Sequence, residues 1–409
     1  MRLTVRFLGF LFHDMAFGLL SVFLPLYLVS SALHGTLTDF GIMIAVANFA
    51  AVPFSFFWGY LCDKTRRYRV FILMSFGVMS LLFYTFSLTN SIPLLILIYG
   101  LISIFHVAHE APKNVIIAEN YTREDWERSF ASYEALTDVG WMIGLVLGVI
   151  FFAIGLANMW FILIVSLLNG VAFVLALLFI HDPIFIFERQ LVAMEKFYDF
   201  AHKGFAIAFR SLDGSRVRES LKGESVTLFC AGLLLFSLAT SMLWTPLPLF
   251  FSNAFKSTPG LSGVAGSLVY AVFIFNTFGN AVGYILAGNR AEIMDEPRAV
   301  RRSILIRALV TLLLILIAAS TSLLILPLAV LILLVLGLAY GFFWISSLSL
   351  SMELIPEGKA GLFYALVGLG AAFGCFIGTF IAESSGFPVL FIVSSIVFFL
   401  SYVAFRIYA

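Results

Sequence analysis

The charged residues of this chain come in short clusters, and between the clusters run stretches of about 20 residues that hold almost none. A helix of that length crosses the roughly 30 Å hydrocarbon layer of a bilayer, so the spacing alone points to repeated membrane crossings. Composition agrees: 62% of the 409 residues are hydrophobic and only 11% are charged. Such a chain cannot cover a water-facing surface, which excludes a soluble enzyme, a disordered protein and a single-span receptor. The formal net charge is +1, so no nucleic acid or other polyanion is expected as a partner. Cys62, Cys230 and Cys375 lie far apart, mostly in apolar stretches, and suggest neither a disulfide framework nor a zinc site.

Apolar runs bounded by turn or charge signals predict spans at 4–29, 38–62, 68–88, 92–118, 130–154 and 157–180. A second set is predicted at 225–251, 263–288, 303–320, 323–352, 361–382 and 387–407. The first run is too long for a signal peptide and is interrupted by His13-Asp14, so it is read as a mature helix. Loops that follow odd-numbered spans contain one basic residue, Lys256, and Lys113 falls inside span 4. The other Lys and Arg sit at the termini, in the loops after even-numbered spans, or at the span ends beside them. By the positive-inside rule both termini face the cytoplasm, and the expected location is the plasma membrane.

The one long loop, 181–222, divides the chain six spans to six, giving expected bundles at 1–180 and 223–409. Leu191, Met194, Phe197, Tyr198, Ala201 and Phe205 recur in it at helical spacing opposite Glu195, Asp199, His202 and Lys203. That pattern suits an amphipathic helix at the cytoplasmic interface; a solvated linker is the alternative. The halves echo each other. Leu24-Pro25-Leu26-Tyr27 matches Leu247-Pro248-Leu249-Phe250, Gly59-Tyr60-Leu61 matches Gly283-Tyr284-Ile285, and Gly140, Gly144 and Gly148 match Gly370, Gly374 and Gly378. Duplicated halves in parallel orientation are a transporter architecture, with the substrate site near the midplane between the repeats.

The loop after span 2 reads Gly59-Tyr60-Leu61-Cys62-Asp63-Lys64-Thr65-Arg66-Arg67-Tyr68-Arg69. Gly59 would let helices approach closely, Asp63 offers a carboxylate to an opposing helix N-terminus or arginine, and the basic cluster suits anionic headgroups. Spacing and placement resemble the cytoplasmic signature of the major facilitator superfamily. The resemblance implies an all-α membrane protein with twelve transmembrane helices in two six-helix bundles, and a latch here that ties the halves together when the protein faces outward. Gly59, Asp63, Arg66 and Arg67 would form that latch. The second copy, Gly283-Tyr284-Ile285-Leu286-Ala287-Gly288-Asn289-Arg290, has lost the acid. Drug/proton antiporters of the superfamily usually carry an arginine in span 4 and a Gly-Pro in span 5, and this sequence has neither.

Charges inside a bilayer cost at least about 2.5–3.5 kcal/mol each, which makes every one a functional candidate. Span 4 holds His106, His109, Glu110 and Lys113 on one arc of a helix, and span 1 holds His13 and Asp14. The superfamily fold puts spans 1, 4, 7 and 10 around a central cavity, so the resemblance brings these six residues to one path. Asp14 with Lys113 or a histidine, and Glu110 with Lys113, are candidate pairs; structural ion pairs are the alternative. Histidine beside carboxylate suits a proton relay, and His13, His106 and His109 with the acids could instead ligate a transition metal. Glu134 and Asp138, near the cytoplasmic end of span 5, are expected to pair with Arg66, Arg67, Arg123 or Arg128 in a gate. The second half shows almost no buried charge and offers Trp244, Asn276, Tyr340, Trp344 and Tyr364 as contacts for an organic solute.

The expected function is secondary active transport of a small organic solute by a monomer, with the proton gradient as energy source and no cofactor. No nucleotide-phosphate loop is present in the sequence. Multidrug efflux in exchange for protons is the alternative, followed by transition-metal transport or an intramembrane metal enzyme.

Overall fold

The computed structural model describes residues 7–30, 33–110, 112–113, 126–156, 158–182, 223–289, 296–354 and 361–408. The first half comprises α1 (Leu8–Leu28), α2 (Leu37–Thr65), α3 (Tyr68–Ser87), α4 (Ile92–His106), α5 (Trp126–Ala153) and α6 (Asn158–Phe179). The second comprises α7 (Gly223–Trp244), α8 (Leu247–Ser257), α9 (Ala265–Asn289), α10 (Glu296–Ala318), α11 (Ile325–Leu354), α12 (Gly361–Ser385) and α13 (Phe387–Tyr408). Counting α7 and α8 as one crossing, eleven segments are long and apolar enough to span a membrane. The remaining crossing is α10, whose 23 residues suffice in length but include Arg298, Arg301, Arg302 and Arg307. The amphipathic stretch expected between Leu191 and Phe205 lies outside the described residues.

Three expectations change. Span 7 is not continuous: α7 stops at Trp244 and α8 begins at Leu247, because Pro246 and Pro248 withhold two backbone donors in succession. Its counterpart Pro25 stands alone, and α1 runs through it. Span 4 leaves α-helical geometry early, at His106, and tightens into a 3-10 turn over Val107–His109. Finally, the second half does contain a buried charge. Arg307 lies near the middle of α10 and is only 3% exposed.

Helix packing repeats between the halves. α1 packs on α5 and α6 as α7 packs on α12 and α13; α3 meets α6 as α10 meets α13; α2 meets α4 as α9 meets α11. The matched glycines explain the closest of these crossings. A Cβ at Gly140 or Gly144 would strike the α1 backbone at Leu11 or Met15, and one at Gly370, Gly374 or Gly378 would strike α7 at Leu234, Leu238 or Met242. Small residues are what allow such approach where no hydrophobic effect drives helices together.

The halves join through two equivalent contacts, α5 on α9 and α2 on α12. At the end carrying the α1–α2 loop this seam is zipped. Tyr270 donates its hydroxyl to Leu19 O at 2.7 Å, Ser267 donates to Val149 O at 3.1 Å, and the Thr38 amide donates to Glu383 Oε2 at 2.7 Å. Gly148 faces the Tyr270 ring at the same seam. At the opposite end Gly59 is open: a Cβ there would meet nothing within 4 Å.

Candidate functional site

The site begins with two side chains that α1 projects in succession, His13 and Asp14, into the first half. Gly18, one turn on, lets the backbone of Trp141 on α5 approach α1 closely. The 3-10 turn after α4 presents His106 and His109 to the same space. The three imidazoles form a compact triangle, with ring centres 5.2 Å apart for His13–His106, 4.8 Å for His13–His109 and 5.0 Å for His106–His109. Phe10 and Phe76 pack against its back, 5.6 Å from His109 and 4.8 Å from His13.

Hydrogen bonds orient these rings. Asn169 of α6 donates Nδ2–H to its own Val165 O, which leaves Oδ1 facing His13 Nδ1 at 2.8 Å. His13 therefore donates from Nδ1 and, when neutral, accepts at Nε2 from His106 Nδ1, 3.1 Å away. A proton added at His13 would reverse that last bond, making the pair a two-way proton carrier. His109 meets Ser75 Oγ through Nδ1 at 3.1 Å and turns Nε2 to Glu110 Oε1 at 3.4 Å. The other carboxylate oxygen, Glu110 Oε2, receives Lys113 Nζ at 2.5 Å, and the ammonium also sits 5.1 Å from the Tyr133 ring. Glu110 with Lys113 is thus the pair that helical i,i+3 spacing anticipated.

These groups border a cavity of about 240 Å³. Asp14, Glu110, Glu134 and Lys113 supply its charge, Phe17, Tyr133 and Trp141 its aromatic walls, and His106, His109 and Thr137 the remaining polar lining. Asp14 shares the cavity with Lys113 but makes no ion pair within 4.0 Å among the described residues, nor does Glu134. Glu134 thus faces the same water-accessible space as Asp14. Asp138, one turn further along α5, buries Oδ2 without a hydrogen-bond partner.

The loop after α2 is only partly described. Arg66 caps α2 in left-handed geometry at φ 55°, Arg67 stands at the start of α3, and the side chain of Asp63 lies outside the described residues, as do Arg123 and the Arg128 side chain. The aromatic candidates of the second half pack on one another rather than on the cavity. Trp244 lies 4.8 Å from Phe273, Tyr340 stacks on Trp344 at 5.9 Å, and Trp344 meets Tyr364 at 6.4 Å. Asn276 spends its amide on Leu333 O at 3.0 Å. Tyr364 alone of this set reaches the electrostatic field of Lys113.

Sequence reasoning missed Asn169, Ser75 and Arg307. Asn169 was readable as an amide in the middle of an apolar span. Arg307 was masked by Arg301 and Arg302, which make it look like the end of a basic loop. Its guanidinium stands 5.2–5.4 Å from the rings of Phe236, Tyr340 and Phe398 and donates to Leu336 O at 3.0 Å. At roughly 0.5–2 kcal/mol per ring, three cation–π contacts offset much of the cost of burying the charge.

Comparison with known proteins now decides the family. The description Major Facilitator Superfamily fits residues 6–368 of the sequence. The chain belongs to that superfamily. It is a multi-pass membrane transporter, with the all-helical two-bundle fold of its class. No curated protein matches the sequence. Among solved structures it is similar to the nucleoside transporter NupG, with a TM-score of 0.73 at 15% identity, covering 100% of this chain and 98% of that one. It is also similar to the human organic anion transporter MFSD10 (TETRAN), with a TM-score of 0.66 at 17% identity and 98% of each chain covered. A third likeness is to a POT family transporter in complex with 5-aminolevulinic acid, with a TM-score of 0.73 at 12% identity, covering 99% of this chain and 94% of that one. At such identities the likeness is one of fold; the three differ in what their names say they carry, and none assigns a solute to this superfamily member.

Proposed function

We propose that this transporter moves a small organic solute through the 240 Å³ cavity by alternating access, driven by the proton gradient. The observation that carries the reading is the histidine chain beside unpaired carboxylates. His13 and His106, with His13 oriented by Asn169, can pass a proton toward a cavity where Asp14 and Glu134 lack basic partners within 4.0 Å among the described residues. A carboxylate in the membrane interior needs a cation or a proton to cross between states at tolerable cost. Glu110 has Lys113; Asp14 and Glu134 are left for the proton.

Alternating access is supported by the unequal ends of the seam. The zipped end, with Thr38 and Glu383, would be extracellular and shut, and the end with the open Gly59 would be cytoplasmic. Both termini would then face the cytoplasm of a plasma-membrane monomer, and closure of the loop after α2 around Asp63, Arg66 and Arg67 would latch the opposite state. The proton gradient serves as energy source, and no cofactor is invoked.

The triangle of histidines also favours a second reading, because their ligand atoms lie within 4.8 Å of one another and could hold a transition metal. Against it, the 3.1 Å bond to His106 already occupies the His13 lone pair. The test is flux in proteoliposomes that contain a pH-sensitive dye. Solutes that this protein carries should drive a proton flux coupled to their own, in either direction, and a protonophore should abolish uphill movement. Solute accumulation unaffected by the protonophore would sink the reading, and a stoichiometric metal in the purified protein would replace it with the second.

A further inference from the structure

The charges around the cavity do not balance, and their imbalance indicates what the cavity holds. Three carboxylates border it, Asp14, Glu110 and Glu134, against one lysine. That lysine is already committed, since Lys113 Nζ rests on Glu110 Oε2 at 2.5 Å. The cation of the other half, Arg307, does not border the cavity, and its guanidinium is enclosed by Phe236, Tyr340 and Phe398. Among the described residues, an anionic solute would therefore meet two uncompensated carboxylates with no lysine or arginine free to hold it. The walls point the same way: Phe17, Tyr133 and Trp141 present the aromatic surface that attracts an organic cation.

We infer that the solute is a small organic cation, a protonated amine or a relative of one, and that it exchanges for protons on Asp14 and Glu134. The inference rests on the proton-driven reading of the same cavity and adds the substrate class and the direction of coupling. A proton and an ammonium group neutralise the same carboxylates, so occupancy by one excludes the other. Exclusive occupancy of one site by two cations is the arrangement that yields antiport. The groups near Asp14 are Lys113 and Glu110 from the segment after α4 and Tyr133, Glu134 and Asp138 from α5; those near Glu134 are Lys113, Glu110, Tyr133 and Asp138, with Tyr364 of α12 near Lys113. None supplies a second free positive charge.

The experiment uses the full-length protein in detergent and three probes of one size: benzylammonium, benzyl alcohol and benzoate. Binding is read by calorimetry and thermal shift, and proton release by a pH electrode in weak buffer. Benzylammonium should bind at least about tenfold more tightly than either isostere and should release protons as it binds. Asp14→Asn and Glu134→Gln should each erase most of that preference while leaving the melting temperature near that of the unmodified protein. Because the wild-type charge series stands without the variants, a variant that fails to fold does not rescue the inference. Benzoate binding as tightly as benzylammonium, or no discrimination among the three, overturns the substrate class. Benzylammonium binding without proton release overturns the exchange. The earlier reading fails separately, by protonophore-insensitive flux in liposomes.

Discussion

The two halves share a packing scheme and differ in what they do with charge. In the first, Glu110, Lys113, His106 and His109 meet around a cavity that also exposes Asp14 and Glu134. In the second, Arg307 is sealed among aromatic rings and a backbone carbonyl, with no acid within 4.0 Å among the described residues. One scaffold therefore supports two solutions to the cost of intramembrane charge: a network open to water and exchangeable partners, and a fixed cation with quadrupole partners. The first is built from groups that can gain or lose a proton, whereas arginine cannot deprotonate.

The sharpest way to break this contrast is Glu110→Gln, which strands Lys113 at 8% exposure without its counter-ion. A loss of about 3–5 kcal/mol is expected from an uncompensated buried charge, read as a large fall in the detergent melting temperature. The double change Glu110→Gln with Lys113→Met should recover much of that stability. Next in size are Gly144→Ala and Gly374→Ala, each expected to cost about 1–3 kcal/mol because a Cβ meets helix backbone. Similar losses at the two sites would confirm a shared scaffold; a loss at only one would argue that the repeats pack differently.

Arg307→Met should change stability by no more than about 1 kcal/mol, since lost cation–π contacts are offset by relief from burying a charge. Its transport rate should stay within about threefold of wild type. A collapse of transport with the fold intact would move Arg307 into the working machinery and erase the contrast between halves. Smallest of all, Gly59→Ala should raise stability by up to about 1 kcal/mol, because the open position accepts a methyl and alanine favours helix. Slower turnover in the same variant would show that another conformation closes helix on helix there.

Local spacing carried the sequence reading as far as it went. The crossings, the matched glycine stripes of α5 and α12, and the Glu110–Lys113 pair all depend on hydropathy or on helical i,i+3 and i,i+4 geometry, which one strand of sequence contains; which helices those glycines meet it does not contain. The same logic failed where local signals mislead: Pro248 looked like Pro25, which its helix tolerates, although Pro246 stands beside it, and Arg307 looked like part of the basic cluster before it.

What the sequence by itself determined is the membrane, the number of crossings, the duplicated halves and the short roster of charges available for chemistry. Only the tertiary structure decided which charges meet. His13 and His106 are distant in sequence yet bonded at 3.1 Å, and Asn169, from a third helix, sets the direction of that bond. The physical reason is that helix geometry fixes which residues share a face, whereas the rotation and depth at which helices pack decide which faces touch. That choice is summed over many small contacts, and no single residue announces it.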